Sequence, residues 1–386
     1  MIYRVSPIRS ERLAAALLLA AASTGLLLAN SPLSAAAFAV RDVEFGPPGL
    51  TLSAADWISE GLLALFFFSA AIELKFELTR GELASPAKAM RPAVAAVFGV
   101  AAPALIYLAV AGRSGYAEGW PIPTATDIAF ALGILSLFGR GLPSRIRAFL
   151  LALAILDDLI AITLIAAFFT RDLDVAALGG GALAVAGVAV VSRIRRRWAV
   201  PLVIVLALAA WWLVHASGVH STIAGVAVGL ALPGRLGMRV RHAIEPGING
   251  VVLPLFALSA AMVAVPPVSP PELTAPFWAI LVALPVGKMV GIGVGGWLGT
   301  ALEQRRLRPQ ISPFALVTVG ALGGIGFTVS LLMNELAFAG QEQVRSEGIL
   351  AVLIGSGVSM IIASALVAAL RRRMRASAPG ASADGG

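Results

Sequence analysis

Apolar runs long enough to cross a lipid bilayer recur along the whole chain, from LAAALLLAAASTGLLLA near its start to ASALVAAL near its end. A spanning helix needs roughly 20 mostly apolar residues. Inside the bilayer only helices or closed barrels satisfy their own backbone groups. With 59% hydrophobic and 13% charged residues over 386 positions, the chain reads as an all-α polytopic membrane protein, not a soluble domain. Twelve transmembrane helices are expected, at about 12–30, 57–75, 92–112, 120–138, 147–170, 174–192, 199–215, 217–232, 244–265, 274–300, 313–337 and 348–370. They form a single integral domain over 1–375, followed by a small polar tail, 376–386, expected to be disordered.

A formal net charge of +8 raises the question of nucleic acid, but the placement of the charge answers it. With both termini cytoplasmic, the outer connections hold only Arg41, Arg113, Arg171 and Arg345, while the inner ones hold all the other basic residues except Lys288. That is the positive-inside bias of membrane topology. The chain has no cysteine, so neither a disulfide framework nor a thiolate metal site is available. The first apolar run follows Arg9 and Arg12 and resembles a signal peptide. Its removal would leave an odd number of spans and reverse the charge bias, so it is expected to remain as a helix.

Lys288 is the exception. It lies in WAILVALPVGKMVGIGVGGWLG, far from either flanking acid, Glu272 or Glu303, and so near the bilayer midplane. An ammonium there is costly unless it is paired, neutralised or reached by water. The adjacent Asp157 and Asp158 in LAILDDL lie at matching depth, and consecutive helical residues diverge by about 100°, so one can face Lys288 and the other a cavity. Asp127, in TATDIAF, is a third intramembrane acid. Such residues cost stability and point to an ion or proton pathway.

Two of the expected helices are interrupted. The fourth carries Pro121, Pro123, Thr124 and Thr126 just before Asp127, and the eleventh carries Gly320, Gly323, Gly324 and Gly326 in GALGGIGFTVS. Broken backbone is tolerated at membrane depth only where protein or a wet cavity encloses it. The breaks occupy corresponding places in two three-helix units of opposite orientation, about 92–170 and 274–370, the inverted-repeat design of many secondary transporters. Carboxylates, a threonine hydroxyl and freed carbonyls suit hard cations such as Na+ or Li+. Burial and a neighbouring carboxylate both favour the protonated acid, so proton and cation compete for one site. An ammonium whose aspartate partner is taken by a cation can release its own proton. No resident cofactor is expected: Na+, Li+ and H+ are the cargo.

The residues LLLANSPL, ATDIAFALGIL, LAILDDL, SGVHSTIAGV, LPLFA, the mid-membrane lysine and GIGFTVSLL, in this order, resemble the NhaA-type Na+/H+ antiporters of bacterial inner membranes over nearly the whole chain. The resemblance implies twelve helices with crossed breaks in the fourth and eleventh, and a site at Asp158 with Asp157. It also implies an Asp157–Lys288 salt bridge, Thr126 and Asp127 supporting Asp157 and Asp158 in binding the ion, and electrogenic, pH-regulated exchange. The segment VRDVEFGPPGLTL, within about 40–52, matches an extracellular β-hairpin through which family members form a homodimer. Glu73, Glu77, His220 and His242 become candidates for pH regulation. The chain departs from the family at Phe76, where an arginine is usual, at Arg241 and Glu245 in RHAIEPG, and at Ala260. Phe76, Arg241 and Glu245 put the pH profile in question and leave the ion chemistry intact.

Other readings fit less well. An intramembrane aspartyl protease needs its two acids on different helices and leaves Lys288 unexplained. A proton-coupled carrier of an organic substrate would use the same architecture, but no large polar or aromatic cluster accompanies Asp158. A non-transporting sensor homologue is not favoured by the intact DD pair and lysine.

Overall fold

The structure, a computed structural model, describes residues 11–47, 50–168, 173–194, 196–265, 270–302 and 311–376. Its helices are α1 (Glu11–Ala29), α2 (Ser34–Arg41), α3 (Ala54–Arg80), α4 (Pro86–Ala111), α5 (Ile128–Phe138), α6 (Ser144–Phe168) and α7 (Val175–Val191). They continue with α8 (Ala199–Ala216), α9 (Thr222–Ala231), α10 (Gly234–Ala260), α11 (Ala275–Thr300), α12 (Pro313–Gly323), α13 (Phe327–Ala337) and α14 (Glu342–Ala376). Among the described residues, eight helical segments are long and apolar enough to cross a membrane, or ten if each of two bent pairs counts as one span. The chain is an all-α membrane protein of many spans. The runs expected at 174–192 and 217–232 fold as α7 and α9, of 17 and 10 residues, short of a straight crossing.

The second of these shortens for a local reason: SGVH leaves the helix, with Gly218 at φ +79°, a left-handed value that glycine takes without a Cβ penalty. Helix α14 extends through Ala376, one residue into the expected tail; 377–386 lie outside the described residues. Helix α2, at 117° to α1, was not expected from its sequence. The hairpin region holds strands β1 (Glu44–Phe45) and β2 (Leu52–Ser53), antiparallel with Glu44 opposite Ser53. The indole of Trp57 donates to the carbonyl of Phe45 at 2.8 Å, tying this hairpin to the start of α3.

Many large apolar side chains face outward, including Leu183, Val205, Leu208 and Ile361, as expected when the surrounding solvent is lipid. Small residues bring helices into close contact. On α11, Gly287, Gly291, Gly295 and Gly299 lie against Pro103, Phe98, Val94 and Arg91 of α4, where a Cβ would have no room. The main core surrounds α5, α6, α11, α12 and α13. It includes an unbroken run of buried residues from Thr318 to Asn334, so the junction between α12 and α13 is enclosed by protein.

Candidate ion-binding site

Two short non-helical stretches meet in this core. In the first, Pro121 and Pro123 supply no backbone N–H, and the chain makes a 3-10 turn over Ile122–Thr124 before running extended to Asp127. In the second, α12 ends at Gly323, and α13 restarts at Phe327 with a 52° change of direction. The Asp127 N–H donates to the carbonyl of Ile325 at 2.6 Å, and Ser330 Oγ donates to the carbonyl of Ile122 at 2.7 Å. Each break thus satisfies backbone groups left open by the other.

Asp127 ties the two restarting helices together. Its Oδ1 accepts from the N–H groups of Ala129 and Phe130, the first turn of α5, at 3.0 and 3.2 Å. Its Oδ2 accepts from the hydroxyl of Thr328 at 2.7 Å and the N–H of Thr328 at 3.3 Å, in the first turn of α13. A carboxylate between two helix N-termini is stabilised by both dipoles. Thr328 was not singled out from the sequence, although GIGFTVS placed a hydroxyl just after the glycine break.

Asp157 on α6 and Lys288 on α11 meet at 2.8 Å, Nζ to Oδ2, with both side chains fully buried. Thr126 Oγ1 lies 2.8 Å from the same Oδ2 and 2.8 Å from the carbonyl of Gly323. With one hydroxyl proton it donates to one of them at a time. The other carboxylate oxygen, Asp157 Oδ1, is buried and has no hydrogen-bond partner among the described residues, which is costly for an ionised oxygen unless a proton or cation shares it. Asp158 is the next residue of α6, and its side chain lies outside what the structure describes. Thr126, Asp127 and Thr328 line a small recess together with Phe66, Leu253 and Val329. Pro123, Gly323, Gly324 and Gly326 are all buried at the breaks.

The four residues considered for pH regulation fall into two groups. Glu73, one turn before Glu77 on α3, accepts from Arg241 at 2.8 Å, and Arg241 also lies 3.5 Å from Glu245. Two of the departures from the family pattern therefore share one ion-pair cluster. His242 Nδ1 is 2.6 Å from the carbonyl of Met238 one turn earlier. His220 belongs elsewhere, in the loop before α9, with Nδ1 2.9 Å from Thr222 Oγ1. Burial holds its imidazole below the ordinary value of 6.5, against the pull of Glu60.

Near that loop is a group that sequence reasoning missed. Glu60 Oε2 accepts from Ser221 Oγ at 2.5 Å and lies 2.6 Å from His215 Nδ1. Trp57, Trp211 and His215 stack in succession beside it, at 5.7 and 6.0 Å between ring centroids. Only folding brings residues from α3, α8 and the loop before α9 together, so no spacing in the sequence signals the group. Among the described residues, no three His, Cys, Asp or Glu are grouped as a metal site would require.

A buried lysine–carboxylate pair held beside two non-helical stretches in a many-span membrane protein fits the architecture of a secondary transporter. The family model described as "Na+/H+ antiporter 1" matches residues 6–367, and the chain belongs to that family. The protein is 55% identical to a Na(+)/H(+) antiporter NhaA 2 of Clavibacter michiganensis subsp. michiganensis, over 98% of this chain and 95% of that one. It is 45% identical to a Na(+)/H(+) antiporter NhaA of Tropheryma whipplei, over 97% and 98% of the two chains. With a third, from Streptomyces antibioticus, identity is 43% over 95% of this chain and 79% of the relative.

Proposed function

We propose that this protein is a secondary active antiporter, not an enzyme, that exchanges cytoplasmic Na+ or Li+ for external protons in a bacterial inner membrane. Its relatives carry the name of Na(+)/H(+) antiporters over nearly their full length. The observation that carries the reading is the buried Asp157 carboxylate, with one oxygen on Lys288 and Thr126 and the other without a partner among the described residues.

Asp157 and Asp158 take either protons or one hard cation. Thr126 Oγ1 and the Gly323 carbonyl, which share a hydrogen bond at 2.8 Å, add oxygen ligands of the kind such an ion prefers. A cation entering at Asp157 competes with Lys288 for the carboxylate, and the released ammonium can give up its proton. If the site reorients only when occupied by proton or cation, the two fluxes run in opposite directions. Release of more than one proton per cation makes the exchange electrogenic. Asp127 holds the two breaks together through neutral donors and acts on the site by positioning Thr126.

The reading includes twelve transmembrane segments with both termini cytoplasmic, α7 and α9 among them, and the inverted units 92–170 and 274–370. The breaks before α5 and between α12 and α13 serve as their interrupted middle helices. It also includes regulation by pH through the Glu73–Arg241–Glu245 cluster and a homodimer joined through the hairpin. Sodium- or lithium-induced dequenching of a pH-sensitive dye in everted vesicles tests it between about pH 6.5 and 9. The response is expected in the wild type and lost in Asp158→Asn; no response to either ion from wild-type protein present in the membrane would overturn it.

A further inference from the structure

Lys288 reaches Asp157 through a local irregularity of α11. Over Ala283–Gly287 the helix is wound as a π turn, and regular α-helix resumes at Lys288 itself. Pro285 stands in the middle of that turn. In an α-helix a proline lacks one ladder N–H and its ring strikes the carbonyl four residues back, here that of Leu281. A π turn admits one extra residue and relieves the clash.

The extra residue sets the phase of everything after it. Trp278, Val282, Val286, Val290 and Val294 all face outward, at 40, 43, 47, 51 and 43% exposure. In an unbroken α-helix, residues spaced by four drift about 40° per step. Trp278 and Val294 would then point about 160° apart. One inserted residue takes back about 100°, leaving a drift of about 60°, which fits within one lipid-facing stripe. Lys288 stands two residues from both Val286 and Val290, about 200° round the helix from each, and so points inward at Asp157. The turn is also held from outside. A Cβ on Gly287 would come within 2.5 Å of Pro103 Cα, and one on Gly326 within 2.8 Å of the Leu284 side chain. Leu284 is fully buried, so the π turn is wedged between α4 and the break that follows α12.

We infer that the π turn at Ala283–Gly287 is the positioning device for Lys288, with Pro285 the residue that enforces it and Leu284 and Gly287 the residues that lock it in place. The inference rests on reading the Lys288–Asp157 pair as the exchange site. Relaxation of this turn to α-helix would carry the ammonium about 100° away from the carboxylate.

The chain has no cysteine, so single cysteines at positions 282, 286, 290 and 294 can be spin-labelled in the full-length protein in vesicles. Oxygen accessibility, which reads contact with lipid, is expected to be high at all four positions. Burial of the label at 290 and 294 would overturn the inference. In the same vesicles, Pro285→Ala is expected to move the pH midpoint of sodium-dependent exchange upward by about one unit or more, because a carboxylate without its ammonium partner keeps its proton to higher pH. Deleting Val286 in the Pro285→Ala background removes the extra residue, restores the phase of Lys288 and is expected to return the midpoint to that of the wild type. A general structural defect would not be rescued by a deletion. An unchanged midpoint in Pro285→Ala, or no rescue by the deletion, would overturn the positioning role. Absence of exchange in the wild type would strike the proposed function instead, and the spin-label pattern would still test the turn.

Discussion

Substituting Lys288 by methionine removes a positive charge of similar length and leaves Asp157 in place. In the wild type the two side chains are fully buried and 2.8 Å apart. Breaking a buried pair from one side costs about 3–5 kcal/mol, because the remaining charge has no compensation. Lys288→Met is therefore expected to be strongly destabilised at pH 7. Asp157→Asn/Lys288→Met, with no buried charge left in the pair, is expected to recover most of the loss at pH 7. Thermal unfolding of the purified protein in detergent at pH 7, followed by monodispersity, reads this. A single variant as stable as wild type at pH 7, or a double variant no more stable than the single, would refute the claim that the pair is a mutually dependent buried charge pair.

Three further outcomes follow from other contacts. Thr126→Val keeps the shape but removes the hydroxyl between Asp157 and Gly323; about 1–1.5 kcal/mol of lost hydrogen bonding corresponds to roughly tenfold weaker apparent sodium affinity in the vesicle assay. The Glu73–Arg241 contact is partly exposed, so a double-mutant cycle of Glu73→Gln and Arg241→Gln is expected to give a coupling of only about 0.2–1 kcal/mol. A coupling above that range would mean the pair is more shielded than its exposure indicates. For His220, whose folded value is held below 6.5 by burial, the unfolded chain takes up a proton first as the pH falls. Stability is then lost below about pH 6.5, at a slope of up to about 1.4 kcal/mol per unit, until the folded form protonates too. His220→Gln is expected to flatten the stability profile below about pH 6.5, and an unchanged slope would assign the acid loss to other groups.

The sequence alone determined the membrane class, because runs of apolar residues have no other stable destination. It also singled out Asp127, Asp157, Asp158 and Lys288, since ionisable side chains within apolar runs are costly wherever the chain takes them. Pro121, Pro123 and the glycines around Gly324 showed where helices stop, because backbone hydrogen bonding and sterics are local. Residues far apart in the chain met only through folding. No spacing could show that Asp127 would cap α5 and also receive Thr328 from beyond the other break, or that Arg241 would find Glu73. The cluster of Glu60, His215 and Ser221 was likewise invisible, because each of its members is unremarkable at its own place in the chain. The π turn before Lys288 lies between these cases. Pro285 and the four-residue spacing from Trp278 to Val294 were present in the sequence, but their meaning depended on which face of α11 the neighbouring helices left open to lipid. Local sterics determine where a helix breaks or overwinds; the direction in which its charged side chain then points is decided by packing against α4 and the break after α12.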